Sequence, residues 1–440
     1  MSNLTQLRLA AREIFEEALQ AVDAGDAVHR AVSLDGSLLK IRETTIDISH
    51  RRVYSIAVGK AAFRMAKALE EVLGERLAAG VSAGPTPATI GLRAGWQTFL
   101  GGHPEPNEQS LAAARAGFDL LERANAERAL VIFLVSGGGS AMIESPISED
   151  ITLDDLRAAN RELVNSGVPI TEINAVRRSF SAVKGGRLAA QAPNCDQITL
   201  IVSDVPEGEE RNVASGPSLA APSDAIAAQE IIARYDLAPL LPESVLRAIK
   251  ASPAPLEDSS SSLRRHFVLL DNHAALAAAT CAAKQRGYHA KIAEDISDQP
   301  IETGCAQLLG QFERLRSEFS APGTSGVCLA SGGEFACPVR GHGIGGRNLE
   351  TALRLACSVN SSDDRPFVAL CAGTDGIDGN SPAAGAIVDS STATRAASIG
   401  LDPDDFLERS DAYSFFVALG DAITTGPTGT NVRDLRILLG

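Results

Sequence analysis

Short, almost unbroken apolar runs alternate along this chain with longer stretches in which apolar residues recur at helical spacing. Tyr54 to Val58, Ala129 to Val135 and Gln197 to Val202 are runs of the first kind, closed in turn by Gly59-Lys60, by Ser136-Gly137-Gly138-Gly139-Ser140 and by Ser203-Asp204. A strand buried on both faces reads as a continuous apolar run. Its alternation with Ala-rich helical stretches, such as the one running to Leu73, predicts an α/β fold with a mostly parallel sheet and helices on both faces. At the start of the chain Leu7, Ile14, Leu19 and Val22, with charges between them, predict an amphipathic helix packed on the first domain.

Residues 251–262, Ala-Ser-Pro-Ala-Pro-Leu-Glu-Asp-Ser-Ser-Ser-Ser, are the most polar and proline-rich stretch and read as a boundary loop. The expected domains are therefore residues 1–255 and 256–440. Beyond the break the alternation resumes: Phe267 to Leu270 ends in Asp271-Asn272-His273, Gly326 to Ala330 in Ser331-Gly332-Gly333-Glu334, and Phe367 to Cys371 in Gly373-Thr374-Asp375-Gly376.

Charge narrows the class of partner. Forty Lys and Arg against 55 Asp and Glu leave a net charge of −15 over 440 residues, with no basic cluster to override it, which argues against nucleic acid and anionic membrane surfaces. Seven cysteines without a CxxC pair read as reduced, mostly buried thiols. The longest strongly apolar run, Ala129 to Val135, is too short to span a bilayer, and charges at Arg8, Arg12, Glu13, Glu16 and Glu17 interrupt any apolar leader. A cytoplasmic enzyme acting on small molecules is the expectation.

In open α/β sheets, ligands bind at the carboxyl ends of strands, where glycine turns and helix N-termini present N–H groups to anions. The loop Ser136 to Ser140 suits such an approach, although a tight strand-to-helix turn needs glycine for steric reasons alone. Lys60 stands at a helix start, where a cation opposes the macrodipole; a charge held there to meet a phosphate or carboxylate is the favoured reading over an exposed first-turn lysine. Asp204 at a strand end suits Mg²⁺, which takes one or two carboxylates plus substrate phosphates, or it caps its own turn. The run Asn174-Ala175-Val176-Arg177-Arg178 with Lys184-Gly185-Gly186-Arg187 concentrates four cations in an acidic chain. On one helix Arg177 and Lys184 would share a face, giving a patch for an acidic substrate, with a solvated surface as the competing reading.

In the second domain Gly341-His342-Gly343-Ile344-Gly345-Gly346 matches GxGxxG, but the acid expected some 20 residues on is represented only by Asp363 and Asp364. Arg347 and Asn348 follow directly, and a guanidinium at a glycine-rich loop suits bidentate phosphate binding. Asp375 and Asp378 put two carboxylates on one glycine-rich turn, able to hold a cation, to orient a hydroxyl as general base, or simply to turn the chain. His103, in Gly102-His103-Pro104, is a weaker candidate base. Walker A, HExxH and GxSxG patterns are absent from the sequence.

Together these segments resemble the class II glycerate 2-kinases. The resemblance rests on Val58-Gly59-Lys60-Ala61, Gly102-His103-Pro104, Ser136 to Ala141, Asn174 to Arg177, Lys184-Gly185-Gly186-Arg187, Ser203-Asp204-Val205-Pro206, Ala214-Ser215-Gly216-Pro217, Ser331 to Glu334, Gly346-Arg347-Asn348, Gly373 to Gly379 and Thr428 to Val432, in one order along the chain. It implies an N-terminal Rossmann-like domain, a smaller C-terminal α/β MOFRL domain, and an active site in the inter-domain cleft. The implied reaction moves the γ-phosphoryl of Mg²⁺-ATP to the 2-hydroxyl of D-glycerate. It places the essential lysine, arginine and aspartate on Lys60, Arg347 and Asp375. Binding roles fall to Ser136, Gly137, Gly138, Gly139, Ser140, Asn174, Arg177, Lys184, Glu334, Asn348 and Asp378, and Mg²⁺ to Asp204. Two departures from the family pattern stand out: Glu207-Gly208-Glu209 in place of Gly-Asp-Asp, and Pro382 in place of an aspartate. An NAD(P)H-dependent hydroxypyruvate reductase is the alternative that GxGxxG permits, and a non-catalytic sensor on the same fold is a third. A homodimer is the expected assembly.

Overall fold

The computed structural model describes residues 3–85, 91–221, 227–251, 262–319, 326–358 and 365–440. The chain divides into two compact units, one of Ala24–Leu269 and another formed by Met1–Asp23 with Leu270–Gly440. The expected break at 255/256, most of the polar stretch around it, and Asp363 and Asp364 lie outside the described residues.

In chain order the elements are α1 (Asn3–Ala21), α2 (Ala24–Ala31), β1 (Val32–Asp35), β2 (Leu38–Ile41), β3 (Thr44–Asp47), β4 (Val53–Val58), α3 (Ala62–Leu73), β5 (Leu77–Gly84), β6 (Trp96–Leu100), α4 (Glu108–Ala126), β7 (Leu130–Ser136), α5 (Leu153–Asn165), α6 (Ile170–Ser179), β8 (Asp196–Val202), α7 (Ala228–Arg234), α8 (Glu243–Ala251) and β9 (Arg264–Leu270). There follow α9 (Asn272–Gln285), β10 (His289–Ile292), α10 (Ile301–Glu318), β11 (Val327–Ser331), α11 (Arg347–Ser358), β12 (Val368–Gly373), β13 (Gly385–Asp389), α12 (Thr392–Ser398), α13 (Pro403–Glu408), α14 (Ala412–Leu419), β14 (Ala422–Ile423) and β15 (Asp434–Leu439).

The first unit is built on a six-stranded sheet in the order β6-β5-β4-β7-β8-β9, in which β6, β5, β4, β7 and β8 pair in parallel. Every residue of β4 and β7 is buried, as strands covered on both faces require. One face carries Tyr54, Ile56 and Val58 into a core with Ala113, Ala114, Leu120 and Leu121 of α4. Numbered from β4, the order is 3-2-1-4-5-6, that of the doubly wound Rossmann sheet, so the direction of winding reverses between β4 and β7.

Two expectations are corrected. The run Phe267 to Leu270 belongs not to the second domain but to β9, the edge strand beside β8, anchored where the Gln197 N–H donates to the Leu263 carbonyl (2.8 Å) and the Leu263 N–H to Asp196 (2.8 Å). Helix α1 packs on the second unit, not the first. Leu7, Ala11, Ile14, Phe15 and Ala18 make one apolar stripe against Ala279, Ala283, Leu370 and Ile437. Arg8 adds ion pairs to Asp389 (2.6 Å) and Asp421, and Arg286 adds others to Glu13 (3.1 Å) and Glu17 (2.5 Å).

The second unit holds a mixed sheet in the order β10-β11-β15-β12-β13-β14, in which β10 and β11 are parallel. The last strand of the chain, β15, inserts antiparallel between β11 and β12. Its first residue, Asp434, therefore pairs with Gly373 at the carboxyl end of β12, and Arg436 with Ser331 at the carboxyl end of β11. Four of the seven thiols, Cys195, Cys305, Cys328 and Cys371, are buried, and none is in a disulfide. Among the described residues no helix is long and apolar enough to cross a membrane.

Candidate active site

The winding of the first sheet locates its ligand crevice at the carboxyl ends of β4 and β7, the two strands that end in Gly59-Lys60 and in the Ser136–Ser140 loop. The two turns are locked together. The Lys60 N–H donates to the Gly137 carbonyl (2.9 Å), and the Ser136 hydroxyl accepts from the Ala61 N–H (3.0 Å) while donating to the Val58 carbonyl (3.2 Å). Gly59, at φ 111°, leaves no room for a side chain, since a Cβ there would lie 2.2 Å from the Ser136 carbonyl oxygen. Gly138, at φ 76°, backs onto the methylene stem of Lys60, 3.1 Å from where its Cβ would stand. Thus Ser136 serves the turn with its hydroxyl, and the glycines give Lys60 its bed. Asp204 stands half-buried just past the neighbouring strand β8, and Glu207-Gly208-Glu209 forms the turn after it, Glu207 exposed and Glu209 half-buried. Among the described residues no group of three or more His, Cys, Asp or Glu is placed to hold a metal ion. His103 is exposed on the loop between β6 and α4.

Below this loop lies a polar floor. The Ser215 hydroxyl bonds the Ser140 hydroxyl (3.1 Å) and the Asn174 amide oxygen (3.3 Å). The shared helical face expected for Arg177 and Lys184 does not exist, because α6 ends at Ser179 and Lys184 lies in the turns beyond it. Lys184 is buried, paired with Glu144, and donates to the Ser140 carbonyl (2.8 Å), so it pins the glycine loop from beneath. Burial pushes the Lys184 pKa down and Glu144 opposes that shift. Glu144 is itself held by the Ser181 hydroxyl (2.6 Å) and the Ser145 N–H (2.9 Å). Glu144→Gln removes the counter-charge of a buried ammonium, and about 1.5–3 kcal/mol of stability is expected to go with it in urea unfolding; an unchanged midpoint would show that the pair contributes nothing net.

In the second unit Arg347 opens α11 and is held by carboxylates. Its Nε and one terminal nitrogen grip both oxygens of Asp434 (2.7 and 3.1 Å), and Glu334 pairs with it at 2.9 Å. Burial works against the charged guanidinium, but Asp434 and Glu334 outweigh it and raise its pKa. Asn348 donates to Asp434 (2.8 Å) and to Asp378 (3.3 Å). Asp378 is buried and caps α11, accepting from the N–H groups of Asn348 (3.1 Å) and Leu349 (2.8 Å). Asp375 sits half-buried on the turn after β12, its carboxylate accepting from the Ile377 N–H (3.2 Å). That turn is tied to the segment before β15: the Thr374 hydroxyl donates to the Arg433 carbonyl (2.6 Å), and the Thr428 hydroxyl to the Thr374 carbonyl (2.6 Å). A cavity of about 380 Å³ opens beside Arg347 and Asp378, walled by Phe335, Gly345, Gly346 and Asn380. Pro382 is exposed on the chain between Asp378 and β13.

Burial lifts the Asp378 pKa to about 7 from an ordinary 3.8, against the Asn348 and Leu349 N–H bonds, with Asp434 adding to the rise and Arg347 opposing it. The folded state then binds more protons than the unfolded one between these values. Asp378 therefore stabilises the fold fully below about pH 4, and that contribution is lost as pH climbs through 7. The charged or titratable groups facing it are Arg347, Asp434, Cys337 and Cys371. We expect the fall in unfolding free energy between pH 5 and 8 to be shallower in Asp378→Asn; an identical slope would place the titration elsewhere.

The GxGxxG segment is explained by packing. Gly341 and Gly343 press on the backbone and side chain of Arg409 and Asp411, and Gly346 on Asp378, where added Cβ atoms would come within 2.5 Å. The N–H groups of Asn348 and Leu349, which a dinucleotide pyrophosphate would need, are taken by Asp378, and β11 and β12 flank β15 instead of pairing with each other. The sequence reading missed Asp434, Arg436 and Glu144. Asp434 carries no motif, and its only signal is a charge opening a terminal apolar run.

Two α/β units whose strand-end loops gather cations and fixed carboxylates define an enzyme that handles small anions. A family described as a domain of unknown function, DUF4147, matches residues 10–250, and the MOFRL family matches residues 327–434. The chain is 35% identical to D-glycerate 2-kinase of Thermotoga maritima, over 98% of each chain. It is 36% identical to a putative hydroxypyruvate reductase of Agrobacterium vitis, over 77% of this chain and 76% of that one. The crystal structure of glycerate kinase from Thermotoga maritima superposes with a TM-score of 0.81 at 32% identity, covering 99% of both chains. The chain belongs to the class II glycerate kinase family.

Proposed function

We propose that this protein is a D-glycerate 2-kinase, transferring the γ-phosphoryl group of ATP to the 2-hydroxyl of D-glycerate and releasing 2-phosphoglycerate and ADP. The observation that carries it is the switch point of the first sheet, where Lys60 is bedded on a glycine loop at the place a doubly wound sheet binds anions. Phosphoryl transfer asks little covalent chemistry of a protein and much positioning and charge stabilisation. Lys60 and the fork of Arg347 neutralise the equatorial oxygens of the group in flight. Asp375 takes the proton of the attacking hydroxyl as its oxygen bonds to phosphorus and the bond to the ADP oxygen breaks. Ser136 to Ser140 and Asn174 shape the anion cradle; Glu334, Asn348 and Asp378 hold Arg347 and the start of α11 in place.

A half-buried carboxylate at a strand end fits Mg²⁺, which takes one or two carboxylates and most of its other ligands from phosphates and water, so Asp204 is the residue to hold it. Bound there, the ion would offset phosphate charge. Reduced thiols fit a cytoplasmic location.

The test runs ATP, Mg²⁺ and D-glycerate with purified protein and follows ADP, beside NADH and hydroxypyruvate followed at the NADH absorbance. Glycerate-dependent ADP is expected. NADH oxidation with hydroxypyruvate and no glycerate-dependent ADP would establish the reductase instead.

A further inference from the structure

Arg177 stands apart from the other cations around the glycine loop of the first unit. Lys184 is neutralised by Glu144, Arg187 donates to the backbone carbonyls of Arg178 and Ser181, and Arg178 reaches the Asn212 amide oxygen at 3.3 Å. Arg177 makes no hydrogen bond or ion pair among the described residues, and its Nε is shielded from solvent with nothing to donate to. Only the field of Glu144, already claimed by Lys184, favours its charge, and burial works against it.

Position makes this guanidinium useful. Arg177 lies three residues after Asn174 on α6, hence on the same face. Asn174 joins through the Ser215 hydroxyl to Ser140, and Ser140 ends the loop on which Lys60 is bedded. One wall of hydroxyls and amides therefore runs from the Lys60 turn toward Arg177.

We propose that Arg177 is the specificity-determining residue that binds the carboxylate of the hydroxy-acid substrate, while the Ser140–Ser215–Asn174 relay meets that substrate's hydroxyls. This rests on the kinase reading given above and assigns the α6 side of the loop to glycerate, not to the nucleotide. A shielded, unbonded donor is costly until a ligand satisfies it. An incoming carboxylate relieves that cost, whereas a neutral analogue such as glyceramide does so poorly.

The experiment compares the wild type with Arg177→Met, which keeps length without charge, and Arg177→Lys, which keeps charge without the fork. KM for D-glycerate, KM for ATP and kcat are measured, with D-glycerate and glyceramide binding followed by calorimetry and folding by thermal unfolding. A charge-assisted hydrogen bond of about 1.5–3 kcal/mol corresponds to a rise in the glycerate KM of about 10- to 150-fold in Arg177→Met. We expect that rise with the ATP KM essentially unchanged, a smaller one in Arg177→Lys, and loss of the preference for glycerate over glyceramide. A rise in the ATP KM equal to or larger than that for glycerate, or no change in either, overturns the assignment. Should Arg177→Met not fold, Arg177→Lys decides by the same split. Should the wild type form no ADP with glycerate, the kinase reading fails while calorimetry still decides this one: glycerate binding lost in the variants supports it, and no binding to the wild type ends it.

Discussion

Lys60→Ala lowers kcat for glycerate-dependent ADP formation by at least about 10²-fold, and Arg347→Ala does the same, the scale of removing one transition-state charge donor. The two variants are expected to differ in how they fail. The stem of Lys60 rests on Gly138, so Lys60→Met keeps that packing and removes the charge. A loss of turnover in Lys60→Met with an unchanged unfolding midpoint isolates that charge. Arg347 instead neutralises a buried carboxylate, so Arg347→Ala is expected to lose stability as well as turnover. Arg347→Lys restores a cation without the fork and recovers more stability than activity, because one ammonium cannot reproduce a bidentate grip. Near-normal turnover in both alanine variants would remove the two residues from the mechanism.

The sheet of the first unit was legible because each buried parallel strand announces itself as a short apolar run and each strand end needs its glycines; Tyr54 to Val58 and Gly59-Lys60 are the clearest case. The amphipathic stripe of α1 declared that the helix packs but not on what, and its partner proved to be a sheet that the chain completes only at its final strand. Strand β15 itself escaped notice because Asp434-Leu-Arg-Ile-Leu-Leu carries two charges. These charges are compatible with burial only through partners distant in sequence: Arg436 donates to the Gly332 and Gly333 carbonyls and lies 3.6 Å from the Phe335 ring centroid. The same limit hid Glu144, which reads as a surface acid until Lys184 is found against it. Local spacing failed for Arg177 and Lys184, since periodicity is informative only while a helix lasts and α6 stops between them.

Asp434 shows what such a hidden residue does. It is buried at the point where β15 enters the sheet between β11 and β12, and it serves Arg347 twice, Asn348 once and the field of Arg436 at 3.6 Å. Asp434→Ala takes from Arg347 its bidentate acceptor and leaves the half-exposed Glu334 to balance its charge, and breaking a buried ion pair from one side costs about 3–5 kcal/mol. That loss is expected in urea unfolding. Asp434→Asn separates scaffold from function: the amide keeps the volume and one acceptor oxygen, so most stability returns, but it can no longer hold both guanidinium nitrogens. Turnover should therefore stay low in Asp434→Asn while KM for D-glycerate changes little, the signature of an arginine present but misdirected. Glu334→Gln is the comparison that gives this meaning, because Glu334 is half-exposed and touches Arg347 through one oxygen at 2.9 Å. Its loss should be several-fold smaller. Equal losses in Asp434→Asn and Glu334→Gln would mean that Arg347 needs only nearby negative charge, whereas unequal ones make the fork's direction the property that the last strand of the chain exists to set.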